Sequence, residues 1–335
     1  MNLERFPRRR YTSGPTPIEF LPNFTRALGG PEIYVKRDDL LGLTAGGNKA
    51  RKLEFVVGDA LEKGCDTLVT CGAVQSNHAR LTLAAAVKEA IHCRLVIEER
   101  VPGTYDKYAG GNNFLFRLLG AEMIRVVPSG TDEVAAMAQL AAEAEAEGRR
   151  PYVIDGSNAS ALSALGYAAC AQEILGQLFE AGLAIDHIVC PSGSGGTHGG
   201  LLTGLIGLSS TIPVAGICVR RTRDLQEPKV LDVVTRTTAF LGLAGPVDRA
   251  RVVCHDDCLA PGYSLPNDAM IEAVTLLART EGMLLDPVYT GKTMAGLIGL
   301  VRQGVFERSQ KVLFIHTGGS PALYHYQGYF DEALD

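Results

Sequence analysis

The chain has 335 residues, 46% of them hydrophobic, and a formal net charge of −5. That length and apolar content describe a packed globular protein of one large or two ordinary domains and exclude a disordered chain. The acidic balance argues against nucleic acid or an anionic membrane as the main partner, and the sequence has no run of eighteen apolar residues and no apolar core near Met1, so a soluble cytoplasmic protein is expected. Along the chain, short β-branched runs at 32–36, 67–70, 94–97, 123–127, 152–154, 187–190, 214–219 and 312–316 predict strands. Helical patterns fall between them. Apolar residues recurring from Leu53 through Val56, Val57, Ala60 and Leu61 to Gly64 predict a helix with Lys49 in its first turn. Further helices are predicted over 78–90, 132–147, 161–179, 267–281 and 292–303. This alternation points to α/β architecture with mostly parallel sheets.

The eight cysteines lie mostly in apolar segments and read as buried, reduced thiols. Only Cys254-His255-Asp256-Asp257-Cys258 clusters possible metal ligands, and it lacks a second ligand pair, so no metal is expected. The basic triplet Arg8-Arg9-Arg10 reads as a flank of the fold.

Two segments carry chemistry. In Gly46-Gly47-Asn48-Lys49 a lysine stands behind a glycine pair at a helix start, where it is either a solvated charge or an amine presented to a carbonyl cofactor. Ser192-Gly193-Ser194-Gly195-Gly196-Thr197 joins a predicted strand to a helical pattern beginning near His198. Such a loop is either a tight turn or an anion cradle of backbone N–H groups at the positive end of a helix. It is neither a Walker A loop nor a dinucleotide fingerprint, which disfavours ATP and NAD. A phosphate cradle and a helix-start lysine together suit pyridoxal 5′-phosphate, whose phosphate is held at one end while the lysine reaches the reactive carbon.

The motifs at 46–54, 75–80, 192–197, 261–267, 286–289 and 316–323, taken in order, resemble the D-cysteine desulfhydrase and aminocyclopropane-carboxylate deaminase family from about Phe6 to Tyr326. The resemblance implies a fold-type-II pyridoxal-phosphate enzyme, similar to the tryptophan synthase β chain. Residues 1–50 and 165–335 would form a larger domain and 51–164 a smaller inserted one, with the site between them and a homodimer as the usual assembly. It implies Lys49 as Schiff-base lysine and proton-transferring base, Asn77 on the phenolic oxygen of the cofactor, and Ser76 and His78 at the substrate carboxylate and reaction face. Ser192, Gly193, Ser194, Gly195, Gly196 and Thr197 would hold the phosphate. Tyr289 would pack on the ring and Tyr263 would face substrate. Lys49, Ser76, Tyr263 and Tyr289 are the expected catalytic set, with a small amino acid as substrate.

Where the deaminase pattern has a glutamate this chain has Thr290, and where it has leucine this chain has Thr317. A hydroxyl favours a protonated ring nitrogen less than a carboxylate does, so both changes point to the desulfhydrase branch and to β-elimination giving pyruvate and ammonia. D-cysteine, releasing sulfide, is the first candidate. L-cysteate, releasing sulfite, is the second, with Arg220 in Arg220-Arg221-Thr222-Arg223 as either the sulfonate's partner or part of a solvated rim. A cyclopropane substrate, a non-catalytic pyridoxal-phosphate binder and a nicotinamide oxidoreductase are less favoured. The segment Asp155-Gly156-Ser157-Asn158 departs from the family's Gly-Gly-Ser pattern.

Overall fold

A computed structural model describes residues 1–156, 158–243 and 245–334, so Ser157 of the departing segment lies outside the described residues. The chain runs β1 (Ile18–Phe20), α1 (Pro22–Leu28), β2 (Glu32–Lys36), α2 (Lys49–Glu62), β3 (Thr67–Ala73), α3 (Asn77–Lys88), β4 (His92–Glu99), α4 (Asn112–Leu118), β5 (Met123–Pro128), α5 (Glu133–Ala146) and β6 (Pro151–Ile154). It continues through α6 (Ala161–Ala181), β7 (His187–Ser192), α7 (Gly196–Gly207), β8 (Val214–Cys218), α8 (Arg223–Leu241), β9 (Val253–His255), α9 (Asp268–Glu281), α10 (Thr290–Arg302) and β10 (Lys311–Ile315). Two sheets result: a six-stranded one in the order β1-β2-β10-β7-β8-β9 and a four-stranded one in the order β5-β4-β3-β6. Every pairing is parallel except β1 with β2.

The strand orders place the site. In the smaller sheet the chain leaves β3 toward β4 and β5 and returns to the other side of β3 as β6; in the larger it leaves β7 toward β8 and β9 and returns as β10. Helices after these switch strands are drawn to opposite faces, which opens a crevice at the strands' carboxyl ends. Ser76-Asn77-His78 follows β3 and the serine/glycine loop follows β7, so topology alone brings both to crevices.

Sequence reasoning missed α8. Pro228 stands inside it and reads as a helix breaker, because it removes an N–H donor and its ring crowds the preceding turn. Packing overrides that preference: Val230 and Val234 enter the core with α6 and α7, and Val233 packs on Ala159 and Ala164. The three-residue strands β1 and β9 are too short to show a period.

A buried ionic cluster fixes the start of α2. Arg51 grips the fully buried Asp38 through Nε at 2.8 Å and Nη2 at 2.7 Å and reaches Glu173 through Nη1 at 2.9 Å. Lys36 Nζ donates to Glu173 at 2.6 Å, and the Tyr167 hydroxyl donates to Asp38 at 2.7 Å. Burial opposes the charge on Glu173, but Arg51 and Lys36 hold its pKa down at about 2. β2, α2 and α6 are thereby tied together two residues from Lys49. Asp38→Ala leaves Arg51 buried beside one acid instead of two and is expected to cost about 3–5 kcal/mol in urea unfolding; a loss below about 1 kcal/mol would mean that solvent reaches the cluster.

Candidate active site

Close backbone approach dictates the glycines before Lys49. A Cβ on Gly46 would meet the Asp39 carbonyl oxygen at 1.8 Å, and one on Gly47, at φ +118°, would meet the Thr317 carbonyl oxygen at 3.0 Å. Asn48 N–H donates to that same Thr317 oxygen at 3.0 Å, which joins the start of α2 to the segment after β10. Lys49 Nζ lies 5.8 Å from the centre of the Tyr289 ring and 3.4 Å from Asn48 Oδ1. Burial lowers the Lys49 pKa to about 8, with Asp286 partly opposing. The amine is thus poised near neutrality, as a nucleophile or base must be.

One turn further along α2 is Lys52, to which the sequence reading assigned no role. It is 8% exposed, and no carboxylate pairs with it among the described residues. Burial, and next the charge of Lys49, push its pKa well down. Its Nζ lies 3.0 Å from where a Cβ on Gly196 would stand. A buried amine without a counter-ion, set against a glycine loop, is a place for an anion. The signal was present as Lys49-x-x-Lys52, a spacing that puts both side chains on one helix face.

The loop's backbone is shaped to match. Gly195 takes φ +87° and Gly196 opens α7, so the first N–H groups of α7 face the loop without helical partners. The Gly193 carbonyl is occupied by Arg221 Nη1 at 3.2 Å and Gln226 Nε2 at 3.1 Å. Thr197 Oγ1 accepts from Asn48 Nδ2 at 2.9 Å, linking this loop to the lysine helix. The Ser192 side chain is fully buried and faces inward, accepting from Gln226 Nε2 at 2.9 Å and meeting His198 Nδ1 at 3.2 Å.

Opposite, Ser76 caps α3 by accepting from Ala79 N–H at 3.1 Å, which leaves its hydroxyl proton free to donate. Asn77 Oδ1 accepts from Asn112 Nδ2 at 2.9 Å, so the remaining function of the Asn77 amide is to donate. Thr70 Oγ1 gives its proton to the Ile154 carbonyl at 2.7 Å and therefore accepts from His78 Nε2–H at 2.9 Å. Burial, then Lys49 and Lys52, lower the His78 pKa to about 3, so this ring is neutral, with its proton on Nε2.

One wall of the cavity is aromatic and basic. The Tyr263 and Tyr289 hydroxyls lie 2.8 Å apart, with their rings at 73°. Two guanidinium groups approach the Tyr263 ring, Arg100 at 5.3 Å and Arg220 at 5.8 Å. Arg100 is oriented by Glu98 at 2.7 Å and Glu133 at 2.8 Å. Arg220 has no carboxylate partner within 4.0 Å among the described residues.

One cavity collects Lys49, Ser76, Asn77 and His78 from the lysine helix and α3, Gly193 and Ser194 from the loop, and Arg220, Tyr263, Tyr289 and Thr317. Arg100 also lines it, and sequence reasoning had no signal for that residue. Thr290 does not reach the cavity wall: it is fully buried, its hydroxyl donating to Asp286 Oδ1 at 2.8 Å and accepting from Asp286 N–H at 2.7 Å. Gly195, Gly196 and Thr197 stand behind the exposed part of the loop. No group of three or more metal-ligating side chains converges among the described residues; in the cysteine-flanked segment Cys254 turns inward toward His198 at 3.9 Å and Asp256 accepts from Arg223 N–H at 2.8 Å.

These residues fit pyridoxal 5′-phosphate. The cradle and Lys52 suit an anion, Lys49 is an amine near neutrality, Asn77 offers a donor and Tyr289 a ring face. The family model for pyridoxal-phosphate dependent enzymes matches residues 10–318, and the chain belongs to that family. A solved ACC deaminase homologue is similar to it, with 37% identity over 98% of this chain and 96% of that one and a TM-score of 0.87. The fold is shared more distantly by a fungal L-serine ammonia-lyase from Rhizomucor miehei, at 19% identity over 94% and 97% of the two chains and a TM-score of 0.66. It is shared also by Escherichia coli diaminopropionate ammonia lyase, at 17% identity over 96% and 87% and a TM-score of 0.65. The protein is thus a fold-type-II pyridoxal-phosphate enzyme. No helix among the described residues is long and apolar enough to cross a membrane.

Proposed function

We propose that this enzyme removes a sulfur-containing substituent from the β-carbon of a 3-substituted alanine, giving pyruvate and ammonia, and that L-cysteate is the substrate its site suits best. The observation that carries this choice is Arg220, a guanidinium in the cavity wall with no acid upon it among the described residues. A sulfonate presents several acceptor oxygens to such a fork.

Bound pyridoxal phosphate supplies the carbonyl that condenses with an amine and the conjugated ring that takes up the electron pair left when the α-proton departs. Ser76 and the N–H groups at the start of α3 hold the substrate carboxylate. His78, neutral and fixed on Thr70, borders the same face without adding charge. Lys49 Nζ accepts the α-proton. The carbon–sulfur bond then breaks with both electrons leaving on sulfite, which Arg220 receives, and the released three-carbon enamine takes up water to become pyruvate and ammonia. The Tyr263–Tyr289 hydroxyl pair supports D-cysteine as a second reading, since a thiolate leaving group needs a proton and the paired phenols carry one beside the cavity. Cyclopropane ring opening is disfavoured, because Thr290, which stands where the deaminase pattern has a glutamate, brings no carboxylate to deepen the electron sink and turns its hydroxyl to Asp286. We read the two sheets as two domains, 51–164 being the smaller, and the setting as a cytoplasmic homodimer.

Pyruvate release from D-cysteine and L-cysteate, measured side by side, tests the assignment. Arg220→Ala should lower kcat/KM for L-cysteate by about 10–100-fold, as loss of a charged hydrogen bond implies, and change D-cysteine by less than about threefold. Equal effects on both substrates would reject the sulfonate role. A protein that keeps its cofactor but turns over neither is a binder or acts on another β-substituted alanine.

A further inference from the structure

Asp286 opens the motif at 286–289 and does not line the cavity. It is fully buried, and its carboxylate accepts four hydrogen bonds from its own turn: Oδ1 from Thr290 N–H and the Thr290 hydroxyl, both at 2.8 Å, and Oδ2 from Val288 N–H at 3.0 Å and Tyr289 N–H at 2.9 Å. No cation forms an ion pair with it within 4.0 Å among the described residues. Burial is the largest effect on Asp286 and raises its pKa above the ordinary carboxylate value, while the donors from Thr290, Tyr289 and Val288 oppose that rise. The charge is held by these dipoles and by no ion pair among the described residues, which leaves its field available to neighbours.

Those neighbours are short of negative charge. The titratable groups that act electrostatically on Lys49 or feel its charge are Lys52 on its own helix, His78 on α3 and Asp286 just before α10, and the Tyr289 ring lies 5.8 Å from its Nζ; of these only Asp286 is an acid. Asp286 also acts on the buried Arg80, whose Nε lacks a partner and whose other donors reach only Thr44 Oγ1 and the Gly46 carbonyl, both at 3.3 Å. His316 and Tyr326 complete its surroundings. The backbone at Gly319 runs between Asp286 and Asn77: a Cβ there would stand 2.9 Å from Asp286 Cγ and 2.7 Å from Asn77 Nδ2. The carboxylate is therefore sealed behind the cavity wall and reaches the reaction only through what it holds.

We propose that Asp286 is a positioning residue whose single carboxylate both orients Tyr289 against Lys49 and supplies the countercharge for Lys49 and the buried Arg80. An asparagine cannot replace it. The amide keeps one acceptor oxygen but sets an NH₂ group against two backbone N–H donors, so both functions fail together.

The test uses the full-length, cofactor-free protein with its lysines carrying ¹³C-methyl labels, the Lys49 resonance being identified by its loss in Lys49→Arg. In the parent protein the amine should titrate at about 8. In Asp286→Asn the midpoint should fall by at least about one unit, since the remaining charges near Lys49 are positive. Thr290→Val keeps the carboxylate and its backbone donors, so it should lower Tm while leaving the Lys49 midpoint within about 0.3 units. A purely structural Asp286 predicts a lower Tm in both variants and an unchanged Lys49 midpoint in both, which would overturn the proposal. Should Asp286→Asn fail to fold, the carboxyl ¹³C resonance of Asp286 in the parent protein decides: ionised throughout pH 6–9 is the result expected, and a proton retained at pH 7 removes the countercharge and the proposal with it.

Discussion

Replacing Lys49 with alanine is expected to abolish the visible absorption band that the Lys49–cofactor linkage gives the loaded protein and to lower pyruvate formation by at least about 10³-fold, since the site then loses its proposed nucleophile and base at once. The neighbours give no substitute. Lys52 is directed at the anion cradle, and His78 is neutral and spends its Nε2 proton on Thr70. The variant should still bind pyridoxal phosphate non-covalently, because Lys52 and the loop from Ser192 to Thr197 are untouched. Normal turnover in Lys49→Ala would remove the central assignment. The same residue sets a pH dependence with a definite sign. With its pKa lowered from 10.5 to about 8, half of the Lys49 amine is neutral at pH 8, whereas an exposed lysine would be neutral only about once in 300. Capture of pyridoxal phosphate by the cofactor-free protein should therefore quicken as pH rises through about 8 and level off above it. A rate still climbing near pH 10 would show an amine that burial has not perturbed.

Lys52→Met is expected to weaken pyridoxal-phosphate binding by about 10–100-fold, the cost of one charged hydrogen bond to an anion. In the cofactor-free protein the sign reverses. Lys52 is buried without an acid, and burial and Lys49 both oppose its charge, so a methionine of similar length should raise the Tm of that form. The two effects together distinguish a binding residue from a packing residue. Equilibrium dialysis of the cofactor with parent and variant gives the first and thermal unfolding of the apo forms the second; equal affinity in parent and variant would mean that the phosphate sits elsewhere. Because Lys49→Ala should leave this non-covalent affinity largely intact, the two lysines fail in different assays.

Much of the site was legible because its chemistry is local. A glycine pair before a helix-start lysine and a glycine-rich strand-to-helix turn each state their backbone geometry within a few residues. The helices with one apolar face declared themselves in the same way, whereas α8 did not, since its internal Pro228 opposes the helix and only packing by Val230, Val233 and Val234 supports it. Side-chain direction was less legible. Ser192 and Thr290 sit in the right motifs, yet one hydroxyl turns to Gln226 and His198 and the other to Asp286, because buried hydroxyls go where partners are.

The sequence by itself determined the alternation of strands and helices, the strand-end loops that carry the site, and the likeness to a pyridoxal-phosphate family, all of which rest on order and spacing along the chain. The tertiary structure decided which loops meet. Strands β3 and β7 are switch points only because β6 and β10 return beside them, and those pairings join residues far apart in the chain. The isolation of Lys52, the approach of Arg100 and Arg220 to one tyrosine, and the sealing of Asp286 behind Gly319 follow from that closure. Burial, and with it the protonation of Lys49 and His78, is a property of the closed packing and has no counterpart in a short stretch of sequence.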